Sequence, residues 1–268
     1  MTEEILPNLY TIEVPLPGNP LKATNSYVIK GDTRTLIIDT GMNREECISA
    51  LSTGLKELDV DLNRADLFIT HLHADHSGLV STLATDSSTI YLGEADAPVV
   101  TGKLSSSWGE MPRIAIEHGF PQEEMEKALG SHPGRKYSSQ GALEVTVVKD
   151  GDKITIGDYA FECIETPGHT RGHMCLYEPN KKLFVAGDHV LIDITPNISL
   201  WSPDETDNPL RDYLASLEKV RGLDVSLVLP GHRSRFDYHR QRIDELLTHH
   251  RIRANEVLSI LEQGPQHT

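Results

Sequence analysis

Apolar and polar positions alternate with a period of two over Tyr10–Val14, which predicts a β-strand, and Asn25–Ile29 and Thr35–Asp39 read as a second and a third strand. The turn-rich stretch Pro15 to Pro20 and the pair Gly31-Asp32 separate them, so short connections should make these strands antiparallel. Further strands are expected at Leu67–Thr70, Thr89–Leu92, Leu143–Val148, Ile154–Ile156, Tyr159–Thr166 and Ser226–Leu229, with a hairpin joining Met174–Tyr177 to Leu183–Ala186. Helical spacing predicts helices from Asn43 or Arg44 to Leu55, over His76–Leu83, over Pro209–Val220 and from Tyr238 to Leu261, where Gly264-Pro265 supplies a stop. Residues 94–137 show no strand pattern and read as a helical insertion between two β-rich halves, with helices at Glu94–Val100 and Pro121–Leu129. That insertion serves as a lid over a site or as a packing element. Helices that follow strands in both halves point to sheets covered by helices, an α+β class, within one domain spanning 1–268.

Composition narrows this picture. Hydrophobic content of 38% and charged content of 24% describe an ordinary globular chain, and no apolar run is long enough to span a bilayer. The acidic start Met1-Thr2-Glu3-Glu4 lacks the apolar core of a secretory signal. Cys47, Cys163 and Cys175 are widely spaced and odd in number, which fits a reducing cytoplasm rather than a disulfide framework. Net charge of −15 weighs against nucleic acid as a partner. The expected partner is a small-molecule substrate, with no membrane, and a homodimer is allowed.

Candidate chemistry concentrates in Thr70-His71-Leu72-His73-Ala74-Asp75-His76-Ser77-Gly78. His71, His73 and Asp75 lie two apart, so an extended segment would point them to one side, and His76 breaks the period where a helix begins. Imidazole and carboxylate at this density suit a metal ion; the alternative is a histidine-rich loop that binds nothing. Three later segments repeat the arrangement of a strand end followed by a metal-binding residue type: Thr166-Pro167-Gly168-His169, Ala186-Gly187-Asp188-His189 and Leu229-Pro230-Gly231-His232. Strand-end loops on a rigid sheet commonly carry chemistry.

With these motifs in this order, the chain resembles the metallo-β-lactamase superfamily: HxHxDH at His71–His76, then His169, Asp188 and His232, with Asp39 matching the family's structural aspartate. The resemblance covers nearly the whole chain. It implies a four-layer αβ/βα sandwich of two mixed β-sheets flanked by helices, with metals at one edge. It also implies that His71, His73 and His169 hold one ion, that Asp75, His76 and His232 hold a second, and that Asp188 bridges them. Two divalent ions are expected, Zn2+ with Mn2+ or Fe2+ as alternatives. His173 is expected to support the site rather than bind metal, and His189 to face substrate near it.

Such a site implies a hydrolase in which two ions supply a hydroxide at neutral pH, with Asp75 as the catalytic carboxylate that orients it or carries a proton. The expected bond is ester-like, a thioester or lactone. The TPGHT run at Thr166–Thr170 resembles both the glyoxalase II and the sulfur dioxygenase branches, so an iron-dependent sulfur dioxygenase is one alternative. Pro230-Gly231-His232 also resembles general hydrolases and single-domain endoribonucleases, which keeps a phosphodiesterase or nuclease open as another. Trp108 and Trp201 are candidates for a pocket wall, with core packing as the competing role.

Overall fold

A computed structural model describes residues 2–101, 110–117, 119–139, 141, 143–200 and 208–264. Among them, seven strands form one sheet in chain order: β1 (Thr2–Leu6), β2 (Leu9–Pro15), β3 (Ala23–Lys30), β4 (Thr35–Ile38), β5 (Ala65–Ile69), β6 (Ile90–Gly93) and β7 (Thr146–Val148). β1 to β4 pair antiparallel, as their short turns require, and β4 to β7 pair parallel. The second sheet holds β8 (Lys153–Ile156), β9 (Tyr159–Glu165), β10 (Met174–Glu178), β11 (Leu183–Gly187) and β12 (Leu227–Pro230), in the order β12-β11-β10-β9-β8. There β11 and β12 are the parallel pair. Helices α1 (Glu45–Glu57), α2 (Ala74–Ser77), α3 (Val80–Leu83), α4 (Ala97–Val100), α5 (Glu110–Glu117), α6 (Gln122–Ser131), α7 (Pro133–Lys136), α8 (Pro209–Arg221) and α9 (His239–Leu261), with one 3-10 turn at Leu62–Arg64, complete the described elements. None of these helices is long and apolar enough to cross a membrane.

Side-chain alternation assembles the layers. Tyr27 and Ile29 of β3, Leu36 and Ile38 of β4, and Phe68 of β5 face Phe161 and Cys163 of β9, Met174 and Leu176 of β10, and Val185 of β11, forming the core between the sheets. The intervening residues Val28, Ile37, Leu67 and Ile69 point the other way and pack with Cys47, Leu51 and Leu55 of α1. On the second sheet, Cys175, Phe184, Ala186 and Val228 point outward to Tyr213, Leu217 and Val220 of α8 and Ile243 and Leu246 of α9. Strands buried on both faces must read as nearly continuous apolar runs, which is why β4, β5 and β11 do so. Each covering helix carries the matching stripe. In α8 it is preceded by an Asn208 side chain that accepts from Arg211 N and by Pro209 in the first turn. The result is the αβ/βα sandwich expected from the sequence.

Three differences stand out. The edge strand β1 was not expected, because Thr2-Glu3-Glu4 is polar and the strand is only half covered. The strand expected from Leu143 begins at Thr146. The helix expected from His76 begins at Ala74 and breaks after Ser77, where Gly78 packs so closely that a Cβ would lie 2.4 Å from Ala74 O and 2.6 Å from Tyr137 O.

Candidate metal centre

Parallel pairing places the C-terminal ends of β4, β5 and β6 along one edge of the first sheet, and the ends of β9, β11 and β12 meet them from the second. Two backbone bonds stitch the junction: Met174 N donates to Thr70 O (2.8 Å), and Asn25 N donates to Gly231 O (2.7 Å). His71 lies in a bend just after β5, and His73 is the N-cap of α2, so the extended segment expected over these residues is not formed. Asp75 lies in the first turn of that helix, so it joins the cluster by helical geometry rather than by the extended period of two. His169 follows β9, Asp188 follows β11 and His232 follows β12.

The structure brings all seven expected residues together. Three overlapping groups, His71/His73/His169, His71/His76/Asp188 and Asp75/His76/His232, each present donor atoms within 4.8 Å of one another. His71 Nε2 lies 3.1 Å from His73 Nδ1 and 3.2 Å from His169 Nε2. His76 Nε2 lies 3.3 Å from His232 Nε2. Asp188 spans the groups, with Oδ1 3.5 Å from His76 Nε2 and Oδ2 3.6 Å from His169 Nε2 and 3.4 Å from His232 Nε2. Asp75 Oδ2 is 3.5 Å from His232 Nε2.

Hydrogen bonds on the far side of each ring fix which nitrogen is bare. His169 Nδ1–H donates to Asn197 O (2.7 Å), His232 Nδ1–H to Ala23 O (2.7 Å) and His76 Nδ1–H to Asp39 Oδ2 (2.8 Å). Thr70 Oγ1 donates to Asp39 Oδ2 (2.8 Å) and so accepts from His71 Nδ1–H (3.0 Å). In the neutral rings the Nε2 lone pairs of His71, His76, His169 and His232 therefore all point into the cluster. Facing lone pairs repel unless a cation lies between them. Bonds of about 2.0–2.1 Å to a tetrahedral ion put the nitrogens roughly 3.3–3.4 Å apart. The observed 3.1–3.3 Å spacings fit that requirement, so these groupings are able to bind metal ions.

The electrostatics agree. Burial pushes the His71, His73 and His169 imidazoles down, His73 to about 3, keeping them neutral and available as ligands. Burial opposes charge on His76 and His232 as well, but Asp39 and Asp188 outweigh it at His76, and Asp188 and Asp75 outweigh it at His232, so both are raised. Burial likewise pushes Asp75 and Asp188 up, and the surrounding imidazoles more than reverse it, leaving both carboxylates lowered. The cluster is built to gather positive charge around two ionised carboxylates.

Supporting residues extend beyond those the sequence suggested. Asp39 sits at a positive φ of 57° and anchors His76 directly and His71 through Thr70. Asn25 was missed. Its side-chain amide donates to Pro230 O (2.9 Å) and Arg233 O (2.8 Å), bracketing the His232 turn. Asp96 was also missed; burial pushes its carboxyl up to about 6, although Thr170, Leu72 and Gly172 all donate to it. His173 takes the supporting role expected of it: its ring bonds Thr166 Oγ1 (2.8 Å) and accepts from Asp188 N (3.1 Å). His189 lies near the centre, as expected of it, with its ring 6.1 Å from that of His173. It is fully buried with its ring 5.3 Å from that of Tyr213, because the chain turns at Gly187 (φ 49°) and sends neighbouring side chains in different directions. The three cysteines are free and buried, none in a ligand group. Trp108 and Trp201 lie outside the described residues, as do parts of the 94–137 insertion.

Fold and cluster together define a metal-binding αβ/βα sandwich. The profile of the metallo-beta-lactamase superfamily matches residues 19–232, and the chain belongs to that superfamily. It is 28% identical over 247 residues to the probable metallo-hydrolase YqjP of Bacillus subtilis, covering 89% of this chain and 76% of the relative. It is 28% identical over 235 residues to the human acyl-coenzyme A thioesterase MBLAC2, covering 81% of this chain and 75% of that one. Among solved structures, the metallo-beta-lactamase family protein TTHA1429 from Thermus thermophilus superposes with a TM-score of 0.84 at 28% identity, covering 98% of this chain and 86% of the other.

Proposed function

We propose that the chain hydrolyses acyl thioesters of small molecules and does so with two divalent ions, zinc in the first instance. The observation that carries this reading is the convergence of the Nε2 atoms of His76, His169 and His232 on Asp188 at 3.4–3.6 Å, with His71 in the same group. His71, His73 and His169 would hold one ion, Asp75, His76 and His232 the other, and Asp188 would serve both. When bound, such a pair makes a water nucleophilic near neutral pH and stabilises negative charge developing on the substrate oxygen. Asp75 is only partly covered, with a side chain 15% exposed, so it can orient the attacking water and accept its proton. A thiolate leaving group has a pKa of about 8.5, so it departs with little help from an acid. That suits a centre whose solvent-reaching carboxylate is already committed to the nucleophile. The thioesterase relative supports the same bond.

The test is a substrate panel with the zinc-loaded protein: acyl-coenzyme A esters, lactones, an activated phosphodiester and short RNA. Thioester turnover well above the others is expected. Cleavage confined to the phosphodiester or RNA would overturn the reading, and lactone turnover without thioester turnover would reassign the bond.

A further inference from the structure

Asp96 occupies the turn Glu94-Ala95-Asp96 after β6 and is fully buried. Its carboxylate does not cap the short helix α4 that follows. Oδ2 instead accepts from Leu72 N (2.9 Å) and Thr170 Oγ1 (2.7 Å), while Oδ1 accepts from Gly172 N (2.8 Å). Leu72 is the residue between His71 and His73, Thr170 follows His169, and Gly172 stands two residues further on. One side chain thus grips the loop from the first sheet that carries His71 and His73, and the loop from the second sheet that carries His169. The loops seat closely on the end of β6. A Cβ on Gly172 would lie 2.4 Å from Asp96 N, and one on Gly93 would lie 2.1 Å from Gly172 O.

We propose that Asp96 is a positioning residue that sets the spacing of His71, His73 and His169 by clamping the two loops that carry them, and so tunes the affinity of the ion they hold without touching it. The inference rests on the metal-binding reading above. All three partners are donors, so both oxygens must accept. An asparagine amide cannot meet this demand, because its NH2 faces either Gly172 N–H or Leu72 N–H whichever way it is turned.

The experiment compares the wild-type chain with Asp96→Asn, measuring metal content and zinc affinity by competition with a chromogenic chelator, and recording the visible spectrum of the cobalt-substituted proteins. Residues that orient ligands from behind typically change metal affinity by about 10–100-fold. A loss of this size for one ion per chain is expected, with the second ion retained and the cobalt bands of the three-histidine site altered. Thr170→Val removes a single donor and is expected to shift affinity the same way by less, which keeps the proposal testable should Asp96→Asn fail to fold. Wild-type affinity for both ions in folded Asp96→Asn, or in folded Thr170→Val, would overturn the role of Asp96 whatever the melting temperatures. A wild-type chain that binds no divalent ion would overturn the hydrolase reading itself.

Discussion

Replacing Asp188 by asparagine is expected to lower kcat/KM by about a thousandfold and to cost the protein at least one of its ions, while the circular dichroism spectrum stays that of the folded chain. Both of its oxygens are in use, Oδ1 beside His76 and Oδ2 beside His169 and His232. Asparagine keeps one oxygen and turns the other into a donor. That NH2 group would hydrogen-bond a bare imidazole nitrogen and close the space a cation needs. It would also remove the charge that faces His76 and His232. Charge stabilisation of this kind is worth several kcal/mol, and each 1.36 kcal/mol is tenfold in rate, hence an effect of roughly three orders of magnitude. Steady-state kinetics beside elemental analysis check it. Unchanged kcat/KM with two ions retained would remove Asp188 from the centre.

Gly231→Ala should be nearly as damaging although Gly231 ligates nothing. A Cβ at that position would lie 2.5 Å from Asp188 Oδ1 and 2.7 Å from His76 Cε1. The residue has no positive φ, so an alanine backbone is unstrained and the whole penalty is steric. Overpacking of a buried site costs about 1–3 kcal/mol, and here the atoms that must move are the ligands themselves. A loss of about a hundredfold in kcat/KM with a weakened second ion is expected. Gly222→Ala is the control, because nothing lies within 4 Å of the added methyl and the residue sits in right-handed helical geometry at the end of α8. Equal activity of the two variants would contradict the close packing of Gly231 on the centre.

Much of this site was legible because the His71–His76 cluster, Asp188 and His232 follow apolar strands, and a strand buried on both faces announces itself as a continuous run. Leu67-Phe68-Ile69 before His71 and Phe184-Val185-Ala186 before Asp188 mark the sheet edge without any coordinates. What escaped notice was what lies behind the ligands. Asp96 stands in a short turn with no periodicity, and its partners are backbone N–H groups of Leu72 and Gly172 together with the Thr170 hydroxyl, so nothing in its neighbourhood announces the contact. Asn25 reads as an ordinary strand residue until β3 is seen beside the His232 turn. Adjacency to Asp188 in sequence placed His189 near the centre, and the structure adds that its ring packs against Tyr213 of α8. The half-covered strand β1 escaped because an edge strand with polar residues carries little of the alternation that identifies the others.

The most direct measurement is metal content and thioester turnover on one preparation, before chelation, after it and after zinc is restored. Two divalent ions per chain, turnover abolished by chelation and turnover regained with zinc are the expected results. Undiminished hydrolysis by the metal-free protein, or a single iron per chain with oxygen uptake in place of hydrolysis, would contradict a binuclear hydrolase.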